Sequence, residues 1–314
     1  MKKGVLLLAE GAPEREEDLE EFLNAIRGGW PGMAETADEL RRRYQAIGGA
    51  SPLVEWTRRQ AAALAQMTGL PVFFAMRHWR PSIRDAVEEI LRQEVNVLAA
   101  LFMASQFADA TLDLYRKRTE AALLQAGARF TGWSADDHFT LVWTRTPYRE
   151  PHLIHAFADR LLEFQERGGP LNEMGRRVLL TGQSLPDKIL PAQETYARQC
   201  AEMAASVASQ AGIDGWDFAY QGQGRAGGRW LGPTVEAQLD RYAAEGIKDV
   251  ILMPIGFFCD RLETLYDIDI RYRDYAGERG MQLTRPEALN GSYALTCALS
   301  SAAWDRLANV YPIE

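Results

Sequence analysis

The stretch VLLTGQSLP, residues 178–186, reads as an apolar strand closed by a glycine, followed by an amide, Gln183, and a short loop carrying a proline. Residues 6–13, LLLAEGAP, repeat that order with an acid, Glu10, where the amide stands. Two such openings read as the first strands of two similar α/β halves; chance likeness of two strand compositions is the competing reading. Outward from them, apolar runs of strand length fall at 4–9, 71–76, 95–102, 177–182, 216–221 and 249–254. Amphipathic segments of helical length fall between them, among them 16–27, 34–46, 56–67, 82–93, 192–211 and 233–245. Strands alternating with helices of ten or more residues imply βαβ units and parallel sheets covered on both faces.

The expected architecture is therefore two Rossmann-like halves with a cleft between them. The first half is set at residues 1–147 and the second at 148–314, with the chain passing over near 145–151. A last helix, 292–310, is expected to cross back onto the first half. In open parallel sheets ligands bind beyond the carboxyl ends of the strands, so Glu10 and Gln183 should face one shared cleft.

Composition narrows the partners. A formal net charge of −8 argues against nucleic acid, whose phosphates need a basic surface. The apolar run near the N-terminus is too short for a signal-peptide core, and no run reaches the roughly 18–20 residues of a transmembrane helix. Cys200, Cys259 and Cys297 are odd in number and far apart, which signals neither a disulfide framework nor a CxxC metal site. The expectation is a cytoplasmic, monomeric protein that takes a small molecule.

Several segments carry polar chemistry. YQGQGRAGGRWLGP, residues 220–233, is a glycine-rich loop between a strand and a helix, but it matches neither nucleotide-binding spacing. Arg225, Arg229 and Trp230 on it suit an anionic, flat ligand better. In IGFFCDRLETLYDIDIRYRDY, residues 255–275, Glu263 and Asp267 are spaced i,i+4 on one helix face. Paired acids there could move protons or hold a divalent cation; with Arg261, Arg271 and Arg273 nearby, a solvated ion-paired helix is the plainer reading of the residues alone. His78 directly follows a strand and is a candidate for the cleft, whereas His138, His152 and His155 read as surface.

Taken in order, LLLAEGAPEREEDLEEFLNAIRGG, YQAIGGASPL, TGQSLPDKI, RWLGPTVE and MPIGFFCDRLETLYDID resemble the ferrochelatases, in particular the short, water-soluble bacterial type, over nearly the whole chain. The resemblance implies two Rossmann-like halves around a porphyrin cleft and insertion of Fe²⁺. It also implies a glutamate on the helix after PIGF, here Glu263, with Asp267 beyond it as a candidate second metal contact. The family's histidine in His-Ser-Leu-Pro is Gln183 here, beside Ser184. An amide can hydrogen-bond but cannot take a proton near neutral pH as imidazole does. Further departures cluster at the same place: Arg261 stands two residues before the helix glutamate where histidine is usual, Arg271 replaces an outer acid, Glu10 replaces a tyrosine, and Gln106 replaces a histidine. Of the basic cluster that contacts porphyrin carboxylates, Arg27 remains.

The resemblance thus assigns Glu10, Glu263 and Gln183 to catalysis, and Arg27, Ser51, Gln106, Tyr115, Ser184, Trp230 and Arg261 to the ligand. Three functions stay open: a tetrapyrrole metal chelatase with an altered proton-handling set, an enzyme running another reaction on a tetrapyrrole or other planar ligand, and a noncatalytic porphyrin- or haem-binding protein. No resident cofactor is implied; Fe²⁺ or another divalent metal would be substrate, and porphyrin or haem the ligand.

Overall fold

The computed structural model describes residues 1–27, 33–106, 109–128, 139–186, 193–223 and 229–310. Among them, eight strands form two parallel sheets of four. The first runs β2 (Val72–Met76), β1 (Lys3–Ala9), β3 (Val97–Phe102), β4 (Thr140–Trp143). The second runs β6 (Trp216–Gln221), β5 (Arg176–Gln183), β7 (Asp249–Pro254), β8 (Gln282–Thr284). The two orders coincide when β5 stands for β1, so the likeness of residues 6–13 and 178–186 is a structural equivalence. Each is the first strand of its sheet, flanked by the second and third, at the point where strand order reverses and a crevice opens.

Side chains alternate along each interior strand with period two. Val5 and Leu7 of β1, Val97, Ala99 and Leu101 of β3, Val178 and Leu180 of β5, and Ile251 and Met253 of β7 all enter one buried core. Helices α3 (Leu53–Thr68), α6 (Pro151–Gly168), α7 (Gln193–Gln210) and α10 (Tyr293–Leu307) complete it. The intervening residues face outward into separate cores: Leu6 and Leu8 against α4 (Ile83–Arg92) and α5 (Asp109–Gln125), and Leu179, Val250 and Leu252 against α8 (Val235–Ala244). The last helix, α10, lies against β3, α3 and α6, and Lys3 Nζ donates to the Leu307 carbonyl at 2.7 Å.

Three expectations need correction. The edge strands β4 and β8 were not foreseen, because an edge strand pairs on one side only and needs no continuous apolar run: β4 is half-buried throughout, and β8 is three residues long. The helix expected from residue 16 begins with a 3₁₀ turn, Glu16–Asp18, before α1 (Leu19–Arg27); α2 (Met33–Ala46) follows. The segment after β7 is not an α-helix but a π-helix, Glu263–Tyr272, continued by α9 (Arg273–Gly277). Such helices bond i to i+5 and gather at functional sites. Among the described residues, no helix is long and apolar enough to cross a membrane.

Candidate active site

Glu10 is the first residue beyond β1, and the parallel register of Ala9 with Met76 brings the end of β2 beside it. Gly11 makes the approach possible: its φ is +93°, and a Cβ there would stand 2.8 Å from that of Trp79. His78 N then donates to the Glu10 carbonyl at 2.9 Å, holding residues 77 and 78 alongside. Three side chains close on the Glu10 carboxylate. Tyr115 Oη donates to Oε1 at 2.8 Å, Arg77 Nη1 lies 3.2 and 3.4 Å from the two oxygens, and His78 Nε2 lies 3.6 Å from Oε2. Burial and the adjacent carboxylate push the Tyr115 phenol well above its ordinary range, so it stays a donor. Burial, with Arg77 and Arg118, pushes the His78 imidazolium down against the opposing pull of Glu10, so the ring is neutral at pH 7.

Gln183 ends β5, the equivalent place in the second sheet, and its main-chain carbonyl accepts from Tyr196 Oη at 2.8 Å. Its side-chain amide makes no hydrogen bond among the described residues and is exposed to the cleft. From β6, Gln221 accepts from Thr181 Oγ1 at 2.6 Å and donates to the Glu263 carbonyl at 3.3 Å, which fixes the start of the π-helix against β5. Arg261 bonds both oxygens of Glu263, at 2.6 and 3.0 Å. Burial alone would push the Glu263 carboxyl up, but the Arg261 guanidinium, with Arg43 beyond it, holds it below the usual carboxylate range.

Four residues on, Asp267 is fully buried and bonded through Oδ1 to Arg43 of α2, while Oδ2 has no partner among the described residues. The two partners respond differently. The contact raises Arg43, whereas Asp267 is pushed up to about 6, because complete burial costs its charge more than one guanidinium returns. A carboxyl raised in the fold binds its proton more tightly folded than unfolded, so stability declines as pH rises from about 4 to about 6. Asp267→Asn should flatten that decline, read as a smaller difference between denaturant midpoints at pH 5 and pH 7 than the parent shows. An undiminished difference would mean that Asp267 does not titrate there.

Glu10, Gln183, Arg261 and Glu263 meet on one open cavity of about 370 Å³, together with Ser51, Arg77 and His78 and the apolar side chains of Phe22, Ile26, Leu40, Leu53, Leu185 and Leu262. A smaller cavity of about 80 Å³ adjoins it and shares Glu10, Gln183 and Arg261, with Gln106 and Tyr115 on its wall. Among the expected ligand contacts, Ser51, Gln106, Tyr115 and Arg261 thus lie on these walls, although Ser51 Oγ also accepts from Leu53 N at 3.3 Å at the start of α3. Ser184 lines neither cavity: it is buried, and its hydroxyl donates to the Leu231 carbonyl at 2.9 Å. Trp230, bridged to Pro186 by its main chain, lines neither. Glu263 and Asp267, the expected metal contacts, are each engaged by an arginine, and among the described residues no group of three or more His, Cys, Asp or Glu is placed to hold a metal. The side chain of Arg27, as well as His138 and Arg225, lies outside the described residues. Sequence reasoning missed Arg77 and Arg43; only Arg77, one place before His78 at a strand end, had a local signal.

A family model described as ferrochelatase matches residues 2–307. A ferrochelatase of Acidobacterium capsulatum is 36% identical, with 96% of this chain and 94% of that protein covered. A coproporphyrin III ferrochelatase of Anoxybacillus flavithermus is 30% identical, with 97% and 96% covered. Among solved structures, SirB from Bacillus subtilis with Fe³⁺ superposes with a TM-score of 0.59 over 96% of this chain and 94% of its own, at 10% identity, which is a likeness of fold.

Proposed function

The chain belongs to the ferrochelatase family, and from that premise we propose that it is a metal chelatase that places a divalent metal, Fe²⁺ or another, in a porphyrin-type macrocycle with an altered set of proton-handling groups. The observation that carries this is the convergence of Glu10, Gln183 and Glu263 on one cleft with apolar walls. A flat apolar ring buries its faces on such walls while the few polar groups set its orientation. Metal insertion must remove two pyrrole protons. Gln183 cannot take them and is assigned to orienting the ring by hydrogen bonds. Glu263 is engaged through both oxygens and serves as a fixed negative charge until Arg261 moves. Glu10 Oε2, approached by Arg77 at 3.4 Å and His78 at 3.6 Å, is the more available base.

The arginines on both π-helix acids favour a second reading, a holder of a porphyrin or haem that inserts no metal, since each guanidinium offsets the pull of its carboxylate on an incoming divalent ion, about 2–8 kcal/mol at ~4 Å for a unit charge against a double one. Anaerobic incubation with porphyrin and Fe²⁺, Co²⁺ or Zn²⁺ separates the two. Metalloporphyrin formed with turnover supports the chelatase; tight porphyrin binding with no product for any metal supports the holder. Gln183→His restores a base on the second wall and should raise metal insertion about threefold to fivefold, on the scale of a partly placed general base. An imidazole there that binds porphyrin yet brings no gain with any metal would show that this wall does not limit the reaction.

A further inference from the structure

We propose that His78 and Glu10 form a proton relay on the first-half wall of the cleft, through which protons released by the macrocycle leave for solvent. This rests on the chelatase reading above and names how that reaction disposes of its protons.

The geometry around Glu10 singles out His78. Oε1 is taken by the Tyr115 hydroxyl at 2.8 Å and by Arg77 at 3.2 Å, which leaves Oε2 as the less committed oxygen. His78 Nε2 stands 3.6 Å from that atom, a gap that a small side-chain rotation closes to hydrogen-bond length. The other neighbours cannot accept a proton from Glu10: Arg77 is already a cation, and Tyr115 holds its own proton. Both residues of the pair line the large cavity, and the His78 side chain is 26% exposed, so its ring touches the cleft and the solvent. The charged and titratable groups facing the ring are Glu10 beyond β1, Arg77 on its own segment and Arg118 of α5, which donates to the Arg77 carbonyl at 2.8 Å. Burial, with the two cations, keeps the imidazole neutral and able to receive a proton; Glu10 draws the proton toward it.

The step balances without an oxidant. As the divalent metal bonds to the ring nitrogens, each of two pyrrole N–H bonds breaks with its electron pair left on nitrogen. The proton passes to Glu10 Oε2 and from there to His78 Nε2. The imidazolium then loses a proton to solvent and both groups return to their starting states before the second transfer.

Two measurements test this on the full chain. The first is an NMR titration of the His78 ring in the ligand-free protein and in Glu10→Gln. Loss of the carboxylate at this distance should lower the His78 midpoint by about one pH unit; an unmoved midpoint would overturn the pairing. The second is insertion of Zn²⁺ into a porphyrin across pH 5–8. His78→Ala should lower kcat about fivefold, leave KM for porphyrin unchanged, remove the acid limb of the pH profile, and regain activity when free imidazole is added. A size-matched His78→Gln should show the same loss without the regain, which separates proton transfer from a packing defect. An active parent with an unchanged His78→Ala profile removes the relay alone; a parent that inserts no metal removes the chelatase reading and the relay together.

Discussion

Glu10→Gln should lower the turnover of porphyrin metallation at least tenfold, a barrier increase of about 1.4 kcal/mol, with porphyrin affinity little changed. The substitution keeps the length and planarity of the side chain, so its oxygen still accepts from the Tyr115 hydroxyl. What it removes is the one group on this wall with both a negative charge and an oxygen turned toward His78. Binding of the ring depends on the apolar walls and is retained, so the effect belongs to kcat. Turnover and porphyrin fluorescence quenching measured on the same preparation check this. Equal turnover in the parent and variant would take Glu10 out of the mechanism and leave Glu263 as the remaining carboxylate on the cleft walls among the described residues.

Arg261→Met should cost about 3 kcal/mol of folding stability at pH 7, as removal of one partner from a largely buried ion pair does. The pair is well shielded, with 17% of the Arg261 and 21% of the Glu263 side chain exposed, and both carboxylate oxygens are bonded. The pH dependence has a definite sign. In the parent the Glu263 carboxyl lies below its unfolded value, so its contribution is present above about pH 4.3 and lost as pH falls through the folded value. Without Arg261, burial dominates and the carboxyl rises above its unfolded value, so stability declines between about pH 4 and neutrality and part of the loss returns at pH 5. Urea midpoints of parent and variant at both pH values give the comparison, with the Asp267 contribution common to both. A loss below about 1 kcal/mol at pH 7 would mean that the pair behaves like one on the surface.

The fold was legible where strands are buried on both faces. Residues 4–9 and 249–254 stand out as apolar runs because both faces of β1 and β7 meet a core. β8 does not, since Gln282 and Thr284 need no apolar partner at an edge. Glu10 and Gln183 could be placed in the cleft because a residue just past an interior parallel strand has nowhere else to go. Their neighbours were harder to foresee. Arg43 and Asp267 are 224 residues apart, and nothing local in ELRRRYQ marks one arginine of three as the partner of a buried acid. The π-helix was illegible for another reason: ETLYDIDIRY carries apolar residues that suit an i,i+4 ladder as well as an i,i+5 one, and Ile268 and Tyr272, four apart, reach the same core in either. Ser184 lies off the cavity walls because a hydroxyl beside a cleft residue can equally close a loop.

The single core beneath both sheets governs how a guest is admitted. Val5, Leu7, Val178 and Leu180 pack into the same mass of side chains, so swinging one half away from the other would wet all of them, at roughly 25 cal/mol for each Å² of apolar surface uncovered. The gape between Glu10 and Gln183 is therefore settled when the chain folds, and the pocket acts as a rigid mould. A flat guest meets walls already set apart and spends little of its binding energy on ordering them. Discrimination among guests of similar breadth then falls to the lining that α2 supplies through Leu40 and Tyr44, a helix that Arg43 anchors to the π-helix wall.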